Sequence, residues 1–527
     1  MTNYVQDLKN TRCIMAIGTN TTEAHPVIAI SLKQAVRKGA KLIVINPRRI
    51  QLTDLAHIWL RPRPGTNVAL LMGMAKVILD EGLHDVAFIS ERCENFEDFR
   101  AALDNFQVAN AADITGVSVE DIKTAARLYA NTRPATTLYA MGIAEHSYGT
   151  DGVMAVANLA MLTGNIGRPG AGVNPLRGQN NVQGACDMGC LPNVYPGYQR
   201  VDDQVAQTKF ESAWGQTLPT TTGLTLTQMM EEAYQKRLKA VYMVGENPVL
   251  SEPNQSHTIA ALEHLDLLVV QDIFLTETAR LAHVVLPAAS FAEKDGTFTN
   301  TERRVQRVRR AVLPPGEALP DWQIVCTLAK KLGAAGFDFN DPKEVMDELS
   351  RLSPIYGGIS FDCLENSGRQ WPCPSPEHPG TPILHTATFS RGRGKFIALA
   401  YNPPAEAPDE TYPLILTTGR NLYQYHTGTM TRKVSGLNKC MGEEKLEMNP
   451  ADATRLDLVD SDWVTISSRR GEVQARVTIN ENNPPGLVYL NFHFAEVPTN
   501  ILTGAAFDQK TGTPDYKVTA VRVSKIV

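Results

Sequence analysis

Two parts of this chain, far apart in sequence, repeat the same order of secondary-structure elements. Apolar runs bounded by turn residues predict strands on either side of a helix. The first copy predicts strand, helix and strand at Arg12–Gly18, His25–Arg37 and Lys41–Ile45, and the second at Ala240–Gly245, Ser256–His264 and Leu267–Gln271. Parallel strands need a helical crossover between them, and this order supplies one. The repeat therefore predicts two βαβ units.

Three markers recur at matching positions in the two copies. G-T-N at Gly18–Asn20 corresponds to G-E-N at Gly245–Asn247, and Asn46 and Asp272 each close a second strand. An L-A-H sequence then follows, and the distance from the first glycine to this histidine is 39 residues in one copy and 38 in the other. In such units ligands lie at the carboxyl ends of the strands, and helix amino termini offer N–H groups to phosphate. Two nucleotide arms are expected; one working site beside a decayed copy is the alternative.

The remaining pattern completes an α/β chain with a β-rich end. Between the two copies, a helix is expected at Asn67–Glu81, a strand at Thr136–Ala140 and a helix at Gly152–Leu162. Ser367–Thr381 is a proline-rich boundary, and Thr386–Ala400 predicts a hairpin. Later strands are expected at Pro413–Thr418, Trp463–Ser467, Glu472–Thr478, Gly486–Phe492 and Tyr516–Val523. Short strands separated by turns indicate a closed barrel.

The fold class expected is α/β, with two dinucleotide-binding-like βαβ halves and a C-terminal β-barrel. The predicted domains are a first nucleotide-binding domain over 1–179, a second over 180–290, a linking region over 291–380 and the barrel over 381–527.

Composition excludes several classes of function. The net charge of −5 argues against nucleic-acid binding, and the basic run Thr301–Arg310 is better explained as a surface strand or partner-facing patch. Val68–Leu79 is too short to span a membrane. Met1–Asn10 lacks the basic region followed by an apolar region that begins a secretory signal.

None of the eight cysteines forms a C-x-x-C pair, so iron–sulfur or zinc ligation within this chain is not expected. Sparse cysteines indicate reduced thiols and a cytoplasmic location.

The segment Asn158–Gly189 predicts a ligand-binding loop. A helix end runs into a stretch crowded with glycine, asparagine and glutamine, with two arginines and without lysine, glutamate or serine. Gly164 and Asn165 would suffice to end the helix, so the further glycines supply backbone freedom beyond one turn. A solvated surface loop is the alternative.

Within this loop, R-G-Q-N-N-V-Q-G-A-C-D-M-G (Arg177–Gly189) resembles the catalytic subunit of formate dehydrogenase, a molybdopterin oxidoreductase. The resemblance extends over essentially the whole chain. It implies a molybdenum or tungsten ion held between two pterin guanine dinucleotides, and the two-electron oxidation of formate to carbon dioxide. Nitrate reductases lack this motif. Another oxidoreductase of the superfamily, such as a nitrate reductase, and a non-catalytic cofactor-binding or assembly protein are the alternatives.

Arg177 is the residue that the resemblance assigns to formate. A guanidinium stays charged and offers a planar fork that matches a carboxylate. Pairing with a cofactor phosphate or a protein carboxylate is the alternative for this arginine.

The resemblance also assigns residues to the cofactor. One guanosine arm would be bound by Asn20, Asn46, Arg48, Gly65 and Asn67, and the other by Gly245, Asn247, Gln271 and Asp272. The remaining cofactor positions are Met141, Gly142, Glu145, Gln179, Arg420, Gln424, His426, Thr427, Asn500, Tyr516 and Lys517. Many relatives have aspartate where Asn46 stands, which puts the usual carboxylate contact in question. His426 could instead be a structural histidine, and Lys517 a solvated strand end.

Two features of the resembling enzymes are not found in this sequence. Their metal is held by a cysteine or selenocysteine followed by histidine, and a small upstream domain carries a 4Fe–4S cluster; this chain has no Cys-His dipeptide. We therefore expect the chain to be the downstream portion of a catalytic subunit, inactive alone and without a metal ligand of its own. Its partners would be the N-terminal portion and electron-transfer subunits. A purposeful two-gene arrangement or a non-catalytic relative is the alternative.

Overall fold

The computed structural model describes residues 1–526, which form two compact units. The first unit contains Met1–Gly178, Leu250–Ser256 and the chain from Ile383 onward. The second unit contains Gln179–Val249 and His257–Pro382. The domain boundaries expected from the sequence stay a prediction.

The amino-terminal part of the first unit is built on a five-stranded parallel sheet with strand order β3-β2-β1-β5-β6. Its strands, together with the short β4, are β1 (Cys13–Ile17), β2 (Lys41–Ile45), β3 (Ile58–Leu60), β4 (Cys93–Glu94), β5 (Ala135–Tyr139) and β6 (Gly172–Pro175). All five residues of β1 are fully buried, because helices cover both faces of a parallel sheet. Alternate residues of this strand enter two separate cores, Met15 one and Ile14 the other.

The helices of this part are α1 (Thr21–Ala24), α2 (Pro26–Arg37), α3 (Asn67–Asp80), α4 (Val86–Arg92), α5 (Phe96–Asp104), α6 (Val108–Thr115), α7 (Val119–Asn131), α8 (Met141–Ala144) and α9 (Gly149–Leu162). The apolar helix α3 is buried over most of its length and packs in the larger core. On the other face, α2 begins at Pro26, which suits the first helical turn. Its buried residues Ile28, Leu32 and Ala35 follow the helical period toward the sheet.

The second unit contains a smaller parallel sheet with strand order β11-β10-β9. The strands of this unit are β7 (Val194–Tyr195), β8 (Gln199–Arg200), β9 (Ala240–Val244), β10 (Leu267–Asp272), β11 (Val284–Pro287), β12 (Gly296–Thr299), β13 (Arg304–Val308) and β14 (Arg369–Gln370). Its helices are α10 (Val182–Asp187), α11 (Gln204–Trp214), α12 (Leu226–Tyr234), α13 (Pro248–Ser251), α14 (Gln255–Glu263), α15 (Asp321–Lys331) and α16 (Pro342–Leu352), of which α13 and α14 share residues with the segment assigned to the first unit.

The sequence repeat corresponds to a repeat of individual hydrogen bonds. In the first unit, the His57 N–H donates to Leu42 O and the Leu42 N–H donates to His57 Nδ1, at 2.8 and 3.1 Å. In the second unit, His283 makes the same pair of bonds with Leu268, both at 2.9 Å. The glycine that ends each first strand is also equivalent, because both adopt a positive φ, +59° at Gly18 and +64° at Gly245. The structure thus contains the two expected βαβ halves.

The carboxy-terminal part of the first unit is a closed six-stranded barrel with strand order β16-β20-β17-β19-β18-β21. Its elements, preceded by the short β15, are β15 (Gly394–Lys395), β16 (Leu414–Gly419), α17 (Ser435–Cys440), β17 (Lys445–Met448), α18 (Pro450–Arg455), β18 (Trp463–Ser467), β19 (Glu472–Ile479), β20 (Leu487–Asn491) and β21 (Thr519–Lys525). Alternate residues of β18 and β19 point inward, among them Val464, Ile466, Val473 and Ala475. The barrel predicted from the short strands is confirmed.

Two expectations about local structure are met only in part. The hairpin expected over Thr386–Ala400 is reduced to a single antiparallel bridge between Phe389 and Gly392, and β15 pairs in parallel with β4. Part of the basic run is not at the surface, because the Arg303 side chain is fully buried and donates to the carbonyl oxygens of Thr381 and Pro382 at 2.9 and 3.2 Å. Within residues 1–526, no helix has both the length and the apolar character needed to cross a membrane.

Candidate functional site

The first unit contains a large cleft where the carboxyl ends of β1, β2 and β5 face residues of the barrel. The empty space of the cleft, including its opening to solvent, is about 1030 Å³. The residues predicted from the sequence that line it are Asn20, Asn46, Arg48, Asn67, Met141, Gly142, Glu145, Arg420 and Lys517. They come from six separate segments, and all of them belong to the same unit. The position agrees with the rule that ligands of parallel sheets lie beyond the carboxyl ends of the strands.

Two glycines form the floor of this cleft. The Gly142 N–H donates to Gly18 O at 3.0 Å, so the turns after β1 and β5 are in direct contact. A Cβ added to Gly18 would lie 2.6 Å from the carbonyl carbon of Gly142, and one added to Gly142 would lie 2.7 Å from Gly18 Cα. Gly142 O also accepts hydrogen bonds from Asn67 Nδ2 and His146 Nε2, both at 3.1 Å. Only glycine at both positions allows this approach of the two backbones.

Gly18→Ala is expected to lower the free energy of unfolding of the first unit by about 2–4 kcal/mol. The alanine would have to adopt a left-handed backbone conformation, and its Cβ would clash with main-chain atoms of Gly142. Chemical denaturation of the purified chain measures this change. Gly82→Ala is the matched control, because Gly82 has a φ of +64° and nothing within 4 Å of an added Cβ. Equal losses in the two variants would show that the contact with Gly142 contributes nothing.

Arg177 lies two residues beyond the end of β6, and it is not itself among the residues that line the cleft. The Leu176 N–H donates to Tyr139 O at 2.8 Å, which continues the pairing of β6 with β5. Leu176 and Gly178, on either side of the arginine, line the cleft. Arg177 itself is half-buried, and its charge acts on Tyr139, although burial dominates there and raises the pKa of that tyrosine to about 12.

The segment that carries Arg177 meets Arg420, the residue that follows β16 of the barrel. A Cβ added to Gly178 would lie 2.5 Å from Arg420 Nη1, so the Arg420 guanidinium packs against the glycine backbone. His25 Nε2 donates to Arg177 O at 2.7 Å. The segment that carries Arg177 therefore contacts both His25 and Arg420, which lie far from it in sequence.

An ion pair closes another side of the cleft. Lys517 Nζ lies 2.7 Å from Glu145 Oε2 and 3.2 Å from Thr418 O, and the lysine is largely buried. Lys517 is thus not a solvated strand end. Its charge is directed into the cleft region, where a charged hydrogen-bond donor is available to a bound ligand.

Comparison with known proteins identifies the family. Residues 1–331 match the molybdopterin oxidoreductase family, and residues 414–520 match the molydopterin dinucleotide binding domain. The alpha subunit of an F420-dependent formate dehydrogenase from Methanocaldococcus jannaschii is 48% identical over 100% of this chain and 78% of its own length. Formate dehydrogenase H of Escherichia coli is 37% identical over 100% of this chain and 74% of its own length.

The chain belongs to the molybdopterin oxidoreductase family. Within this family it is an oxidoreductase of the formate dehydrogenase type. The solved structure of acetylene hydratase from Pelobacter acetylenicus superposes with a TM-score of 0.75, covering 99% of this chain and 81% of that one. At 20% sequence identity this likeness concerns the fold alone.

The cleft fits a large polar ligand such as the family's pterin dinucleotide. Asn20 Oδ1, His25 Nδ1 and His146 Nδ1 are buried and make no hydrogen bond within the described chain. Such atoms are costly unless a ligand or water satisfies them. The glycine floor admits close approach of a ligand to the backbone, and Arg48, Arg420 and Lys517 offer cationic donors suited to phosphate. In residues 1–526, no group of three histidine, cysteine, aspartate or glutamate side chains is arranged to hold a metal ion.

Two residues predicted for the guanosine arm of this oxidoreductase already have protein partners. Asn46 Oδ1 accepts the Arg48 N–H at 3.0 Å. The Arg48 side chain pairs with Glu447 Oε2 and donates to Asn483 Oδ1, both at 2.8 Å, and its guanidinium carbon lies 3.2 Å from the centre of the Tyr489 ring. These bonds orient Arg48 between the sheet and the barrel of the first unit.

Several other predicted residues do not line the large cleft. Gly65 lines a smaller neighbouring pocket with Asn67. Gln424 Nε2 donates to Met441 O at 2.7 Å, and Thr427 Oγ1 lies 2.9 Å from Thr429 Oγ1. The His426 ring meets the edge of Phe492, and burial lowers its pKa to about 4, so this histidine is neutral.

Asn500 and Tyr516 hold another part of the first unit in place. Asn500 Nδ2 donates to the carbonyl oxygens of Leu250 and Ser251 at 2.8 and 3.0 Å, and Tyr516 OH donates to Ser251 O at 2.9 Å. Both side chains thus anchor the Leu250–Ser256 segment to the barrel region. Whether either one also reaches the cofactor stays a prediction.

The remaining predicted residues, Gln179, Gly245, Asn247, Gln271 and Asp272, belong to the second unit. The last four lie at the carboxyl ends of β9 and β10. Asn247 Nδ2 donates to Glu277 Oε2 at 2.9 Å, and Gln271 Nε2 donates to Asp321 Oδ1 at 2.7 Å. This edge of the sheet is equivalent to the edge that forms the cleft in the first unit, as the repeat predicts.

Sequence reasoning missed several residues of the cleft. Thr19, His25, Arg63 and Tyr489 line it. Thr19 lies inside the recurring G-T-N marker and Arg63 precedes the glycine of R-P-G-T-N, so both could have been included. Tyr489 is a buried strand residue, and no local sequence pattern marks it as part of the cleft. His25 stands immediately before Pro26, a helix-start position that carries no information about its partner.

Proposed function

We propose that this chain provides the formate-orienting residue and most of the cofactor contacts of a molybdenum- or tungsten-dependent formate dehydrogenase. The reaction converts formate to carbon dioxide, one proton and two electrons. The observation that carries this proposal is that both sequence neighbours of Arg177, Leu176 and Gly178, line the large cleft, with Gly178 packed against Arg420.

Formate offers few features for recognition. It is a one-carbon anion whose two oxygens are its only polar groups, and a guanidinium fork can bind both. A charged hydrogen bond of this kind contributes about 1.5–3 kcal/mol. Arg177 would hold the carboxylate so that the C–H bond points away from the guanidinium, toward the interior of the cleft.

The pterin-held metal, when bound, supplies the two-electron acceptor of the reaction. The protein residues would bind and orient. Asn20, Asn46, Arg48 and Asn67 would hold one guanosine arm, with Gly142 beneath it, and Glu145, Arg420 and Lys517 would contact the pterin and phosphate groups. The equivalent sheet edge in the second unit supports a role for Gly245, Asn247, Gln271 and Asp272 with the other arm.

Electrons released by the reaction would pass through a 4Fe–4S cluster outside this chain to electron-transfer partners. The eight cysteines are free thiols. This supports a reducing compartment, and we propose the cytoplasm.

The experiment is an assay of the enzyme that contains this chain, purified without oxygen, with formate and an artificial electron acceptor. Guanine nucleotide and metal content are measured on the same sample. Formate-dependent dye reduction with about two dinucleotides per chain is expected. Nitrate reduction without formate oxidation would replace the proposal with a nitrate reductase, and bound pterin with neither activity would indicate a cofactor-binding protein.

A further inference from the structure

His25 connects the first nucleotide-binding loop to the substrate-binding segment. It stands between α1 and α2, immediately after the loop that carries Thr19 and Asn20, and it lines the cleft. Its Nε2 lies 2.7 Å from the main-chain oxygen of Arg177, which is 152 residues away in sequence. The contact therefore joins two parts of the site that lie far apart in the sequence.

The geometry of this contact fixes the state of the imidazole ring. A carbonyl oxygen can only accept, so Nε2 must carry the hydrogen and donate it. The other ring nitrogen, Nδ1, is buried and makes no hydrogen bond within the described residues. A proton on Nδ1 would therefore have no acceptor, and the nearby Arg420 charge would repel it.

The electrostatic surroundings agree with this tautomer. Burial lowers the pKa of His25, the bond to Arg177 O opposes this shift, and the Arg420 charge reinforces it. The ring is neutral at physiological pH, with a single donor that is used on the Arg177 backbone.

The Arg177 segment depends on contacts of this kind because it lies beyond the end of β6. Before it, the Leu176 N–H is held by Tyr139 O. After it, the Gly178 backbone rests against the Arg420 guanidinium. His25 holds the carbonyl between these two points, and so fixes the orientation of the peptide that joins Arg177 to Gly178.

We propose that His25 is a positioning residue for Arg177. By holding the Arg177 carbonyl, it sets the direction in which the guanidinium leaves the backbone, and so couples the nucleotide-binding loop to the orientation of the substrate. This inference rests on the proposed role of Arg177 with formate, but the contact can be tested without any assay of activity.

The test compares three variants. His25→Leu keeps an apolar side chain of similar size and removes the donor. His25→Gln places an amide N–H near the position of Nε2, and His25→Asn has a shorter amide that does not reach the carbonyl. The first measurement is amide hydrogen exchange of the peptide spanning residues 172–182 in the purified chain. We expect exchange several-fold faster in His25→Leu and His25→Asn, and close to the native rate in His25→Gln.

The second measurement is formate kinetics of the enzyme that contains the chain. A misoriented Arg177 weakens formate binding, so KM is expected to rise about 5- to 10-fold in His25→Leu and His25→Asn, equivalent to one lost hydrogen bond. kcat should change less than about 3-fold, with unchanged dinucleotide content, and His25→Gln should restore KM. If His25→Leu does not fold, the comparison of His25→Asn with His25→Gln still tests the effect of losing the hydrogen-bond donor.

Native exchange rates and native KM in His25→Leu or His25→Asn would overturn the proposal, and so would equal defects in His25→Gln and His25→Asn. Faster exchange in the donor-lacking variants, together with an Arg177→Ala variant that still oxidises formate normally, has a different meaning. This outcome would show that His25 holds the Arg177 segment in place. It would refute both the positioning role of His25 and the proposed function of Arg177.

Discussion

Arg177→Ala is expected to reduce kcat/KM for formate by about 10- to 150-fold or more, which corresponds to the loss of about 1.5–3 kcal/mol from each charged hydrogen bond to the carboxylate. Guanine dinucleotide and metal content should be retained, because the cleft is formed by many other residues. Steady-state kinetics with formate and an artificial acceptor, with cofactor analysis of the same preparation, measure both quantities.

Two variants serve as controls for this result. Arg177→Lys keeps the charge and loses the planar fork, so an intermediate loss is expected if bidentate binding matters. Arg37→Ala removes an exposed arginine at the end of α2 and should leave kinetics unchanged. Undiminished turnover in Arg177→Ala would exclude this residue from substrate binding, and loss of the dinucleotide would assign it to the cofactor.

The second large effect is expected from Glu444, which lies inside the barrel region. Its side chain is buried, and Oε1 accepts hydrogen bonds from the Asn491 N–H at 3.0 Å and from Asn491 Nδ2 at 3.1 Å. Oε2 is buried and makes no hydrogen bond within the described chain. Burial raises the pKa of this carboxyl to about 8, so it carries a proton at neutral pH.

A raised pKa makes the folded state depend on the bound proton. The contribution of Glu444 to stability is complete below its ordinary pKa of 4.5 and is lost as the pH rises through about 8. Each pH unit in this interval corresponds to about 1.4 kcal/mol, so the free energy of unfolding should fall by about 4–5 kcal/mol across it. Glu444→Gln, which keeps the shape without the charge, is expected to abolish this decline.

Denaturant unfolding of the wild type and of Glu444→Gln from pH 5 to pH 9 measures the difference. The two proteins should be similar at pH 5, and the variant should be more stable at pH 9. Glu443→Gln is the matched control, because this neighbour is exposed and pairs with Lys445 at the surface. Parallel stability curves for the wild type and Glu444→Gln would contradict the buried, protonated state of Glu444.

The order of the strands and helices was accessible from the sequence because its signals are local. The apolar runs that end at Gly18 and Gly245 predict β1 and β9, and the recurring L-A-H marker corresponds to the equivalent bonds of His57 and His283. Where local signals are weak, prediction failed. Lys445–Met448 contributes a barrel strand that the sequence pattern did not predict. The hairpin expected at Thr386–Ala400 is reduced to one antiparallel bridge, and Gly394–Lys395 pairs in parallel with distant residues.

The candidate site could be predicted only in part, because a motif gives the type of a side chain but not its partner. Arg48, Arg420 and Lys517 were found from motifs, and all three line the cleft. Gln424 was assigned to the cofactor by the same resemblance as Arg420, yet its amide donates to the Met441 carbonyl. Arg303 was expected with a surface strand, and it is buried among backbone carbonyls.

The sequence by itself determined the two βαβ halves, the barrel, and the family that the Arg177–Gly189 motif indicates. It could do so because hydrophobic periodicity, turn residues and motif spacing are properties of short stretches of chain. The tertiary structure alone decided that His25 holds the Arg177 carbonyl, that Gly18 meets Gly142, and that Gly178 packs against Arg420. These contacts join residues far apart in sequence, and a hydrogen bond or a close backbone approach depends on ångström distances that only the folded chain sets.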